Sequence, residues 1–100
     1  MKKTKTHFRK NYRTNHPAYI YAYDPSVNEY LYIGITHAAI TKGIKNIKID
    51  NPNPKDTKDS FMRPYATHEK VKNFAKYQLN WKSSRKTGQI ARKIKRNYKK

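Results

Sequence analysis

The charge of this 100-residue chain is spread unevenly, and this limits which part of it can close a hydrophobic core. Lys and Arg number 24 and Asp and Glu number 6, so the formal net charge is +18. Residues 1–16 carry six cations and no acid, and residues 67–100 carry twelve cations and one acid. The segment between them, 17–66, is nearly neutral. Because like charges oppose compaction, we expect the core to form there, with basic segments on either side.

The nearly neutral segment begins with an alternating pattern that predicts an antiparallel hairpin. Every second residue of 18–24 is polar or aromatic, and residues 29–36 alternate again, with Asp, Pro, Ser and Asn between them as turn formers. One face of this hairpin would be aliphatic and would belong to the core. The other face would be a cluster of tyrosines: Tyr19, Tyr21, Tyr23, Tyr30 and Tyr32.

Two further strands are predicted after the hairpin. Residues 44–49 alternate Ile with polar residues, and Phe61–Tyr65 is a second short candidate. Pro64 restricts the latter to the edge of the sheet, because proline cannot donate a ladder hydrogen bond. We therefore expect a sheet of three or four strands.

From Thr67 the spacing of apolar residues becomes helical. Val71, Phe74, Ala75 and Leu79 form a stripe that predicts a helix from Thr67 to about Trp81.

A second helix is predicted from near Thr87, where Ile90, Ile94 and Tyr98 recur every four residues. Its other face is rich in Lys and Arg.

The sequence therefore predicts an α+β fold, a small antiparallel β-meander packed by one helix and followed by a basic C-terminal helix. The expected organisation is a disordered basic tail over 1–16, an α+β core domain over 17–82 and the basic helix over 83–100. The tail is expected to be disordered because it has no apolar periodicity.

Several classes of protein are disfavoured by composition. The chain has no Cys, which fits a reducing compartment, and no apolar run approaches the length of a membrane span. The four His residues have no spacing typical of a metal site, and no cofactor motif is present. We expect a cytoplasmic protein without a metal or another cofactor.

The density of cations near the C-terminus predicts a nucleic-acid partner. Cations on one helix face repel each other, and a row of phosphates relieves that repulsion while releasing condensed counterions. We expect a non-enzymatic nucleic-acid-binding protein that makes mainly phosphate contacts. The candidate contact residues are Lys70, Lys72, Lys76, Lys82, Arg85, Lys86, Arg92, Lys93, Lys95 and Arg96.

The tyrosine cluster favours RNA or single strands over duplex DNA. Unpaired bases stack on aromatic side chains, and neighbouring cations hold the phosphates. Tyrosine is also a common strand residue whose cross-strand pairs stabilise hairpins, so a purely structural role is the alternative.

Two other functions fit the same composition. A small metal-independent, toxin-like ribonuclease needs an acid, a base and a cation near the phosphate, and the candidates are His37, His68, Arg63 and Tyr65. An inhibitor or binder of an acidic protein would use the same positive charge.

Overall fold

The computed structural model describes residues 2–98, which form seven strands, one 3-10 turn and one α-helix. The strands are β1 (Lys2–Asn11), β2 (His16–Asp24), β3 (Glu29–Thr36), β4 (Ile40–Thr41), β5 (Ile44–Lys45), β6 (Ile47–Ile49) and β7 (Ser60–Lys70). The 3-10 turn spans Val71–Asn73 and α1 spans Arg85–Arg96.

The main sheet is antiparallel and has the strand order β1-β2-β3-β7-β6, while β4 and β5 form a separate two-stranded sheet. The predicted α+β class is confirmed. The sheet has five strands, however, and the sequence predicts three or four.

The predicted hairpin is present as β2 and β3. Asp24 begins its turn, and its carboxylate accepts hydrogen bonds from the backbone N and the Oγ of Ser26, at 3.1 and 2.6 Å. Asn28 ends the turn with a φ of 53°, a left-handed conformation that Asn tolerates better than most residues. The local turn chemistry therefore sets the position of this hairpin.

The register of the hairpin divides its tyrosines between the two faces of the sheet. Tyr19 lies opposite Ile33, and both pack in the cluster beneath α1. Tyr32 lies opposite Ile20, and both pack with Phe74 on the other face. The prediction of one tyrosine face and one aliphatic face is wrong, because cross-strand partners share a face and this register pairs Tyr with Ile.

The N-terminal segment is a strand of the sheet and not the predicted disordered tail. β1 pairs with β2 along one edge. Its Phe8 is 3% exposed and packs edge-on against Tyr19, with 5.5 Å between the ring centroids. One buried aromatic side chain therefore fixes a segment that shows no apolar periodicity. Met1 lies outside the described residues.

The other edge of β1 is also hydrogen-bonded. The amides of Ala75 and Leu79 donate to the carbonyls of Lys10 and Phe8, each at 2.8 Å. Residues 74–79 thus pair with one edge of β1, while β2 pairs with its other edge.

The prediction of a helix over Thr67–Trp81 is wrong. β7 stays paired with β3 until Lys70, the 3-10 turn follows, and the chain then continues along β1. Phe74 is buried against the sheet and Leu79 is half-buried. Backbone pairing with two existing strands outweighs the helical spacing of these apolar residues.

The C-terminal helix is present and covers one face of the sheet. Ser84 is its N-cap, and the Ser84 Oγ accepts a hydrogen bond from the backbone N of Thr87 at 3.1 Å. Ala91 and Ile94 are buried in the cluster with Met62 of β7. The sequence predicts a core domain over 17–82 with this helix outside it. In the structure the helix packs on the sheet and contributes to the core. The predicted end of this helix, at residues 99–100, lies outside the described residues.

Pro64 lies at a β-bulge and does not confine its strand to an edge. β7 lies between β3 and β6, and the neighbours of Gly34 on β3 pair with Met62 and Ala66. Three residues of β7 therefore stand opposite one residue of β3. β6 pairs only with residues 60–62, so its ladder ends before the missing N–H of Pro64.

Within residues 2–98 we find no helix with the length and apolar character that a membrane span requires.

Candidate nucleic-acid interface

The outward face of α1 is a row of polar side chains, nearly all of them cationic. Thr87, Ala91 and Ile94 are the buried residues of the helix and fix which side faces the sheet. The exposed side chains are Arg85, Lys86, Gln89, Arg92, Lys93 and Arg96. The helix has 12 residues, so this row extends over about 18 Å.

The positive charge of this row is not neutralised by an acidic side chain of residues 2–98. α1 contains no Asp or Glu, and no cation of α1 forms an ion pair within residues 2–98. The acidic side chains that do form pairs lie elsewhere, as in the contact between Glu69 and Arg13. Burial acts to raise the pKa of Glu69, but hydrogen bonds from Asn73 and Arg13 outweigh it and lower the pKa.

Repulsion within the row costs stability. Arg92 and Arg96 are one turn apart, as are Lys93 and Arg96, and each like-charge pair at such spacing destabilises a helix by about 0.2–0.5 kcal/mol. An array of anions placed against the row would remove this cost.

A groove lies beside the row, between β1 and the start of α1. One cavity of about 470 Å³ includes Thr6, Tyr19 and Arg92 in its lining, and a neighbouring one of about 450 Å³ includes Lys5 and Lys82. The two cavities share Thr6 and Ser83.

The groove has an aromatic component from the core. Trp81 lines the second cavity and packs on Phe8, with 5.6 Å between the ring centroids. Cations at its rim and aromatic groups at its wall suit a nucleic-acid strand that passes along the helix.

Four of the lysines predicted to contact nucleic acid do not lie on one surface, because the helix predicted over Thr67–Trp81 does not form. They are Lys70, Lys72, Lys76 and Lys82. Lys70 ends β7, and its Nζ donates to the carbonyl of Val27 at 2.9 Å. Lys72 is exposed in the 3-10 turn, and Lys76 lies 5.7 Å from the ring centroid of Tyr77. Of the lysines predicted on that helix, only Lys82 lines the groove.

The tyrosines do not form an open stacking surface. Tyr19 and Tyr32 are buried, and the ring of Tyr30 is packed against Phe74 at 5.3 Å between centroids. The hydroxyl of Tyr23 donates to the side chain of Asn28 at 2.9 Å. The packing of these tyrosines therefore fits a structural role in the sheet better than a role in base stacking.

Tyr21 is half-buried and packs against a cation of α1. The Nζ of Lys95 lies 5.4 Å from its ring centroid. Its hydroxyl is buried without a hydrogen-bond partner among the described residues, and burial raises the pKa of Tyr21 to about 12. Lys95 is therefore the half-buried member of the basic helix.

The four candidate ribonuclease residues are not assembled in one site. His37 contacts the backbone O of Asp59 at 2.9 Å and the carboxylate of Asp56 at 3.0 Å.

His68 pairs with Glu29 at 2.8 Å, and its ring centroid lies 6.4 Å from that of Tyr98. Arg63 and Tyr65 do meet, and they line a separate cavity together with His16.

Sequence reasoning missed the residues that β1 contributes to the groove and those that surround Arg63. Lys5 and Thr6 belong to a strand that has almost no pattern of its own. The sequence does carry a signal for the residues around Arg63, because Gly34 and Pro64 interrupt two strand patterns. Such interruptions mark bulges and close approaches of the backbone.

No group of three or more His, Asp or Glu side chains in the described part of the chain is arranged to hold a metal ion. No protein-family model matches the chain, and no curated protein or solved structure is significantly similar to it.

Proposed function

We propose that this protein binds nucleic acid through phosphate contacts with the outward face of α1 and the adjoining groove, without acting on a covalent bond. The supporting observation is the row of exposed cations on one rigid helix with no acidic side chain among them. Duplex DNA presents on the order of ten phosphate charges over the length of such a helix. A surface of this kind binds the backbone and carries little sequence information.

The form of the nucleic acid follows from which groups are exposed. The sequence favours RNA or single strands because of its tyrosines, but Tyr19 and Tyr32 are buried. The exposed surface supports backbone contacts that single and double strands both offer, with the half-buried Trp81 in the groove wall as an aromatic group beside them.

The test compares two variants that lose the same charge. In the first, Arg92, Lys93 and Arg96 are changed to Gln; in the second, Lys48, Lys55 and Lys58, which are exposed on β6 and the following loop, are changed to Gln. Binding of labelled single- and double-stranded RNA and DNA is measured by fluorescence anisotropy at low salt. We expect the α1 variant to bind at least about tenfold more weakly than the loop variant.

Equal loss of affinity in both variants would mean that net charge alone drives binding and would contradict the proposal. Absence of binding to all four nucleic acids would also contradict it and favour an acidic protein partner. Cleavage of the labelled RNA by the wild-type protein would favour the ribonuclease.

A further inference from the structure

A third cavity, of about 410 Å³, opens on the face of the sheet away from α1. Its walls come from β3 and β7, from the β1–β2 turn and from the β4–β5 hairpin. The polar side chains that line it include Thr14, His16, Thr36, Lys42, Arg63 and Tyr65. Small-molecule sites are about 300–1,000 Å³, so this cavity suits a ligand near the lower end of that range.

The bulge at Pro64 directs two of these side chains into the cavity. Arg63 and Tyr65 flank Pro64 on β7, opposite Gly34 on β3. A methyl group at Gly34 would lie 3.1 Å from the Cγ of Arg63. The absence of a side chain at Gly34 therefore leaves room for the Arg63 side chain to pack over β3. Bulges commonly turn side chains toward functional sites.

The guanidinium of Arg63 is held in position and still has free donors. One terminal nitrogen donates to the side-chain oxygen of Asn46 at 2.6 Å, while Nε and the other terminal nitrogen approach the hydroxyl of Tyr65 at 3.4 and 3.2 Å. A guanidinium has five N–H groups, two on each terminal nitrogen. One N–H on each terminal nitrogen therefore has no acceptor among the described residues.

Asn46 connects this arginine to the hairpin wall of the cavity. Its side-chain amide donates to the carbonyl of Ala38 at 2.9 Å and to the hydroxyl of Thr41 at 2.8 Å. The guanidinium is thus fixed between a strand of the sheet and the hairpin.

The cavity is cationic. Arg63 and Lys42 line it, and its lining residues include no Asp or Glu. Arg63 forms no ion pair with any carboxylate of the described residues. A fixed guanidinium with a free N–H donor on each terminal nitrogen can hydrogen-bond a phosphate, and a lysine adds a second positive charge.

The same cavity also offers an aromatic face and hydroxyl groups. The Tyr65 side chain is 47% exposed, and the Arg63 guanidinium lies 4.9 Å from its ring centroid. Thr14, Thr36 and Thr67 contribute hydroxyls to the lining.

We propose that this cavity binds a nucleoside monophosphate, with the phosphate on Arg63 and Lys42 and the nucleoside against Tyr65 and the threonine hydroxyls. The site is separate from the surface on α1, so it does not depend on the function proposed above.

The test titrates the full chain with the four ribonucleoside 5′-monophosphates, the matching nucleosides and inorganic phosphate, each followed by calorimetry. We expect one monophosphate to bind at least about tenfold more tightly than its nucleoside and than inorganic phosphate, because a charge-assisted pair is lost in the first comparison and the aromatic contact in the second. Arg63→Gln should remove this difference, and Arg92→Gln on α1 should preserve it.

A second variant guards against an effect of Arg63→Gln on folding. Gly34→Ala crowds the Cγ of Arg63 without changing charge and should weaken the same binding, while thermal melting reports whether each variant is folded. Equal affinity for a monophosphate and its nucleoside, equal affinity for a monophosphate and inorganic phosphate, or undiminished binding by folded Arg63→Gln would overturn the proposal.

Discussion

His7 is held as a neutral imidazole by its neighbours in β1. Its Nδ1 contacts the carbonyl of Lys5 at 2.8 Å and so donates a proton, and its Nε2 accepts a hydrogen bond from the Nε of Arg9 at 3.1 Å. Burial lowers the pKa of His7 from 6.5, the hydrogen bond to Lys5 opposes this, and the charge of Arg9 lowers it further. The ring also packs edge-on against Tyr30.

We predict that the protein loses stability as the pH falls through about 6.5, in part because of His7. The unfolded chain protonates this residue in a range where the folded chain does not, so acid favours unfolding, and the contribution is fully present only above that range. The free energy of unfolding, measured by urea denaturation between about pH 7.5 and about pH 5.5, should vary less in His7→Gln than in the wild type. His16→Gln, at an exposed position, is the control, and an equal pH dependence in wild type and His7→Gln would contradict the prediction.

At the scale of elements, the parts predicted correctly are those that depend on neighbours in the sequence. Alternation and the Asp24-to-Asn28 turn suffice for the β2–β3 hairpin. Spacing suffices for most of α1, which begins at Arg85 and so slightly before the predicted start near Thr87. β1 could not be predicted because it has no alternating pattern of its own. It pairs with the neighbouring β2, and its other edge is covered by residues 74–79, which come from a distant part of the chain.

The candidate sites also differ in how far the sequence predicts them. The row on α1 follows from the helical spacing of its cations, which a sequence displays directly. The cavity around Arg63 depends on a bulge that places three residues of β7 opposite Gly34, and periodicity assumes a regular ladder.

We predict that Phe8→Ala destabilises the protein by about 3–5 kcal/mol, as expected for removing a buried aromatic side chain. Phe8 joins β1 to Tyr19 and Trp81, so its loss opens a cavity in the core beneath α1. Tyr12→Ala, at a residue that is 62% exposed and follows β1 directly, is the matched control and should change stability little. Chemical denaturation measures both, and a small effect of Phe8→Ala would mean that β1 is only loosely attached.

At the scale of the whole molecule, the proposed interface determines how binding responds to salt. Five cations on the outward face of α1 are exposed: Arg85, Lys86, Arg92, Lys93 and Arg96. If each neutralises one phosphate, the log–log slope of affinity against salt concentration should be roughly −4.5 on B-form DNA and roughly −3.5 on single strands. Anisotropy titrations over a range of salt concentrations give this slope, and a value near zero would exclude phosphate-directed binding.

The pairing of β1 with residues 74–79 has a consequence for biosynthesis. On the ribosome, β1 emerges well before the segment that covers its outer edge, and at ordinary elongation rates that interval lasts several seconds. During this time a nascent chain carries a strand with one unsatisfied edge, which could pair with a second nascent chain. Lys5, Arg9 and Lys10 give every copy of that strand the same charge, so neighbouring copies repel each other until the covering segment arrives.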